Sequence, residues 1–122
     1  MNCYEYLKLP PIALLETLSD TFLYDIPITI ETADDLATVS KMLSETANQY
    51  SFLCQLLGYA KIQKRIFARE NSKTEKEDMI DREDVINNIV NAVKLRYNTL
   101  SRMITVKQEY NKELNINSAR AG

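Results

Sequence analysis

Acidic side chains are the densest chemical resource of this sequence: Glu75, Glu77, Asp78, Asp81, Glu83 and Asp84 fall within ten residues. Carboxylates spaced this way on a helix could hold Mg²⁺, provided a facing helix brings further acids to the ion. A second resource is basic and aromatic. Arg96, Tyr97, Arg102, Lys107, Tyr110 and Lys112 lie within a few helical turns of one another, with Ser101 and Thr105 among them. Such a set suits a protein interface, where Arg and Tyr combine contact area with directed hydrogen bonds, or a nucleic acid, with guanidinium on phosphate and ring on base. Arg102, Lys107, Tyr110 and Lys112 are therefore the candidate partner-binding residues. The chain has no His, which removes the commonest general base, the commonest metal ligand and every Ser-His or Cys-His nucleophile pair. No catalytic, metal-binding or cofactor-binding residue is expected, and the reading is of a protein that is not an enzyme.

The elements that must position these side chains are helices. Pro10, Pro11 and Pro27 are the only prolines, and Gly58 is the only glycine before Gly122, so little after residue 27 breaks a helix. One long helix is predicted from Thr32, as N-cap to Asp34 and Asp35, to about Glu70. Its seam is Leu36, Val39, Leu43, Thr46, Tyr50, Leu53, Leu57, Ala60, Lys64 and Phe67, at alternating spacings of three and four. A second is predicted to open where Thr74 and Glu77 have capping-box spacing, and to fade near Leu114. Its seam is Met79, Ile86, Val90, Val93, Tyr97, Leu100 and Ile104. The expected fold is thus all-α: a long antiparallel helical hairpin over residues 32–114, preceded by a short N-terminal helix and extended arm in 1–31, and followed by a flexible tail, 115–122. Pro11 opens the short helix, with Ile12, Leu15, Leu18 and Phe22 or Leu23 as its apolar face. The arm is Ile26–Ile30, with Pro27 keeping it out of a sheet.

A tight hairpin pairs residues whose numbers sum to about 145, which sets Lys61, Lys64 and Arg65 across from Asp78, Asp81 and Asp84. Structural ion pairs are expected there, Lys64 with Asp81 and Lys61 with Asp84, and those bases would repel the cation that the acidic stretch could otherwise hold. Each helix carries a second apolar line: Phe52, Leu56, Tyr59, Ile62 and Ile66 on the first, and Val85, Ile89, Ala92, Met103, Val106 and Tyr110 on the second. Either the N-terminal segment or a second copy of the chain must cover these lines, so Phe52, Leu56, Tyr59 and Met103 are candidate oligomer-surface residues and a homo-oligomer is expected. Gly58 in mid-helix implies close approach of another helix or a kink. Cys54 reads as a small core hydrophobe.

With 122 residues, 45% hydrophobic and 26% charged, the chain has the composition of one ordinary globular domain. Its net charge of −2 conceals blocks of alternating sign: −6 over residues 1–35, +3 over 36–71, −3 over 72–84 and +4 over 85–122. An overall basic footprint for nucleic acid is absent, while a local basic face remains open. Two unpaired-looking cysteines, no run long enough to span a membrane and no signal-peptide pattern at Met1–Leu9 point to the cytoplasm.

Ala60-Lys61-Ile62-Gln63-Lys64-Arg65, Glu77-Asp78-Met79-Ile80-Asp81 and Ser101-Arg102-Met103-Ile104-Thr105-Val106 with Glu113-Leu114 resemble small helical proteins encoded in the early regions of phages and prophages of Clostridia and related bacteria. The resemblance covers residues 46–114 and brings no motif of known chemistry. It implies a host bacterial cytoplasm and a recombination accessory or an inhibitor of host defence, anti-CRISPR proteins included. Taken with the residues, the expected function is a binding protein that docks on a host or phage nucleic-acid-processing protein and inhibits or positions it. The alternative is a nucleic-acid or nucleotide binder, with Arg102, Lys107 and Lys112 of several subunits around a basic groove.

Overall fold

The computed structural model describes residues 1–26, 30–67 and 73–121, excluding the side chains at 67, 73, 74 and 115–121. Four helices follow one another: α1 (Cys3–Leu7), α2 (Pro11–Phe22), α3 (Ala33–Phe67) and α4 (Lys73–Ala121), with no strand among the described residues. The hairpin of α3 and α4 is the frame of the molecule. Thr46 and Gln49 meet Arg96, and Lys64 meets Glu83, so the antiparallel register is the expected one.

α3 opens through a reciprocal cap. Thr32 Oγ1 accepts from the Asp35 N–H at 3.1 Å, while Asp35 Oδ2 accepts from the N–H groups of Thr32 at 3.0 Å and Glu31 at 3.1 Å. These donors, the Thr32 amide foremost, hold the Asp35 carboxyl below its ordinary range. α4 differs from expectation at both ends. It begins at Lys73, which places Thr74 inside the first turn rather than at the cap, and it continues to Ala121 instead of fading near Leu114. Polar composition alone does not end a helix, and residues 115–121 contain neither Pro nor Gly. The stretch expected as a tail is therefore helical through Ala121. Residues 68–72, where the first helix was expected to reach Glu70, lie outside the described residues.

The N-terminal segment lies on one side of the hairpin. α1, unforeseen in the sequence, is capped by Asn2, whose side chain accepts from the Glu5 N–H at 3.0 Å, and it buries Cys3, Tyr6 and Leu7. Pro11 opens α2 as expected, but the buried face is Leu14, Leu18 and Phe22, at strict i, i+4 spacing. Ile12, Leu15 and Leu23 are exposed. Tyr6, Phe22 and Phe52 form an aromatic cluster, with Phe52 5.9 Å from each of the other two rings. Leu56 is fully buried in the same core. Phe52 and Leu56 are thus covered by the chain's own N-terminus, which corrects their assignment to an oligomer surface. Tyr59 stays partly exposed beside Tyr4, and Met103 is half-buried.

Three further expectations are corrected. Tyr97, expected on the seam, is exposed, and its neighbour Arg96 is buried at 7% exposure. Cys54 is exposed rather than in the core, because it faces the side of the hairpin that α1 and α2 do not cover. Lys64 pairs with Glu83 and not Asp81: the two acids lie two residues apart, roughly 200° around the helix, and only Glu83 shares the seam side with Met79 and Ile86. Asp81, Asp84 and Lys61 are exposed. Residues 23–26, which lead from α2 into the arm, lie along α4; of the arm itself Ile26 and Ile30 are half-buried, while residues 27–29 lie outside the described residues.

Candidate functional site

α4 has to serve two neighbours, and its side chains divide accordingly. Met79, Ile86, Val90, Val93 and Leu100 are buried on the seam toward α3, while Ile89 and Arg96 are buried toward the N-terminal layer. Two arginines on α4 bracket that layer. Arg82 Nε donates to the Leu9 carbonyl at 2.7 Å, just before α2 begins, and Arg96 Nη1 donates to the Phe22 carbonyl, where α2 ends. The Phe22 carbonyl belongs to the last turn of α2, which leaves its acceptors without intrahelical partners and carries the negative end of the helix dipole, so a guanidinium suits it.

Arg96 also donates from Nη2 to Gln49 Oε1 at 2.5 Å and from Nε to Thr46 Oγ1 at 3.3 Å. Its guanidinium carbon lies 4.1 Å from the centre of the Tyr24 ring, and the Tyr24 hydroxyl donates to Gln49 at 3.4 Å. Burial pulls the guanidinium below its ordinary value, with the charge interaction with Tyr24 opposing that shift, yet an arginine remains charged at any accessible pH. A single side chain therefore ties together α2, the segment that follows it at Tyr24, α3 and α4. Sequence reasoning grouped it with the surface bases. The signal that could have placed it is the second apolar stripe, since Ile89, Arg96 and Met103 recur every seven residues.

The four candidate partner-binding residues are not one patch. Lys107 and Tyr110 lie together, the ammonium 5.4 Å from the ring centre. At about 100° per residue, Arg102 sits roughly 140° around α4 from Lys107, beside Val106, and Lys112 falls on the far side from Tyr110. What surrounds Lys107 and Tyr110 is the continuation of the face that α2 buries higher up α4. Met103 is half-buried there, and Val106, Tyr110 and Leu114 are exposed at 58%, 52% and 46%.

The acidic stretch shows no convergence. Glu77, Asp81 and Asp84 are exposed, and among the described residues no three His, Cys, Asp or Glu side chains are placed to hold a metal ion. Among those residues no helix is long and apolar enough to cross a membrane. Gly58 has open space around it: among the described residues an added Cβ would meet no neighbouring group within 4 Å, so none of the other described helices approaches it closely.

No family model, curated protein or solved structure matches the chain.

Proposed function

We propose that the chain is a non-enzymatic binding protein that docks on a partner protein through the lower part of α4. The carrying observation is the continuity of one helix face: it is buried against α2 at Ile89 and Arg96, then exposed at Val106, Tyr110 and Leu114. An apolar line flanked by Arg102 and Lys107 suits an apolar helix with acidic neighbours, lying on α4 as α2 does above it. A nucleic-acid-processing protein of a phage or its host, inhibited or positioned by the contact as an anti-CRISPR-like protein would act, is the partner favoured by the likeness to phage early-region proteins. The same likeness favours a bacterial cytoplasm.

Replacing Val106, Lys107 and Tyr110 together by Ala tests the docking line. Wild-type protein, immobilised in a nuclease-treated bacterial lysate, should retain a nucleic-acid-processing protein that the triple variant does not, with equal helicity by circular dichroism. Equal retention by both forms would overturn the docking line. A wild-type dimer in light scattering that becomes monomeric in the variant would make the occupant a second copy of the chain.

A further inference from the structure

The side of the hairpin facing away from α1 and α2 carries two cavities in a row. Near the tip, Lys61, Lys64 and Arg65 of α3 and Lys76, Ile80 and Glu83 of α4 line a space of about 450 Å³. Toward the middle, Ala47 and Tyr50 of α3 and Lys94, Tyr97 and Asn98 of α4 line one of about 390 Å³. Tyr50 and Lys61 are eleven residues apart, which returns them to the same side of α3, and Glu83 and Lys94 are related in the same way on α4. The cavities are thus two stations of one groove, ~16–21 Å apart at ~1.5 Å per residue.

Charge along this groove is predominantly positive. Residues 46–67 of α3 and 85–108 of α4 contain no Asp or Glu at all. Glu83 is the acid among the described lining residues, and Lys64 holds it. Glu77, Asp81 and Asp84, at i, i+4 and i+7, form a separate exposed row on the outward side of α4. Lys61, Arg65 and Lys94 are exposed, and Tyr97 keeps 38% of its surface accessible. Tyr50 is half-buried, and the Cys54 thiol one turn on raises its phenol above the ordinary value.

We propose that this groove binds single-stranded nucleic acid, with the phosphates on Arg65, Lys61, Lys76 and Lys94 and bases against the rings of Tyr97 and Tyr50. Two separated stations, a cationic one near the tip and one in the middle that sets Lys94 beside two tyrosines, call for a linear polyanion, since one small anion cannot occupy both. Cations followed along one groove by aromatic rings are the chemistry that tracks a strand while tolerating its sequence. The site shares no residue with the docking line on α4, so the two readings stand or fall separately.

Fluorescence anisotropy of labelled dT20 and U20 with the full-length chain tests it. Wild type should bind at low salt, with affinity falling steeply as salt rises. The double variant Arg65→Glu/Lys94→Glu, one change per cavity, should weaken binding at least tenfold; each phosphate that is no longer neutralised should lower the salt slope by ~0.7. Lys8→Glu/Lys41→Glu, the same charge change at exposed positions off the groove, should weaken it far less. Tyr97→Ala should cost roughly tenfold with the slope unchanged, as removal of a stacking ring does. Binding of either oligomer in this pattern supports the groove, and a preference between them assigns the sugar. Absence of binding at low salt, equal weakening in the two double variants, or duplex DNA competing as well as single strands would each overturn the proposal.

Discussion

The upper and lower parts of α4 present the same apolar line to different surroundings. Between Arg82 and Arg96 the line meets α2, and Ile89 is 3% exposed; between Met103 and Leu114 it continues in like residue types, and Val106 is 58% exposed. The upper part is closed because α2 runs parallel to it and is held at both ends by an arginine on a backbone carbonyl. α2 ends at Phe22, so nothing of that helix reaches the lower part. Similar side chains therefore act as core in one half and as open surface in the other, and the difference is set by the length of a neighbouring helix rather than by their own chemistry.

The largest effect expected from this contrast is at Leu18. It is fully buried between α2 and the hairpin, and Leu18→Ala should lower stability by about 2–5 kcal/mol through reduced burial and a residual cavity. Tyr110→Ala, on the exposed continuation of the line, should stay within about 0.5 kcal/mol. Denaturant melts of both variants make the comparison. A loss at Tyr110 comparable to that at Leu18 would show that the lower line is covered in the native protein, and a concentration-dependent midpoint would identify the cover as another copy.

Arg96 sharpens the boundary between the two halves. Arg96→Met keeps most of the aliphatic volume but leaves the Phe22 carbonyl without its donor and removes the bonds to Thr46 and Gln49. Stranding a buried acceptor costs ~1–3 kcal/mol, and Arg96→Lys should recover only part, because an ammonium cannot reproduce the planar fork. Hydrogen exchange should then show faster opening of α2 amides than of α3 amides near Leu53. Unchanged protection in α2 would mean that the guanidinium does not hold the layer in place.

Much of this architecture is legible in the sequence, and the failures have physical causes. The hairpin, its register and the opening of α3 follow from the absence of breakers, two runs of apolar residues at three-four spacing, and Thr32 placed three residues before Asp35. Side-chain direction is harder to read. A heptad count on α4 puts Tyr97 at a seam position, but a helix contacting both α3 and α2 carries two overlapping stripes, and the second selects Arg96. Cys54 and Phe52 illustrate the same difficulty: two residues apart on α3, one is exposed and the other is covered, and only the placement of the N-terminal layer decides which. The bare line around Tyr110 could be named from its residues. That it is bare depends on where α2 stops.

The smallest expected effect concerns the hairpin tip, where register and rotation can be separated. Lys64 is bound to Glu83, with side chains 40% and 17% exposed, so the pair is only partly shielded from water. An ion pair in that setting contributes on the order of 0–1 kcal/mol. Lys64→Glu should lower stability by about that amount, by removing the attraction and opposing two carboxylates across the seam. Glu83→Lys in the same chain restores opposite charges at the same two positions and should recover most of the loss. Asp81→Lys should recover little, because position 81 points away from α3 although its number satisfies the hairpin pairing. Thermal melts of the single and double variants measure the coupling of Lys64 to each acid. A coupling to Asp81 equal to or larger than that to Glu83 would require α4 to be rotated by about half a turn at the tip, and would move Ile80 and Lys76 out of the groove.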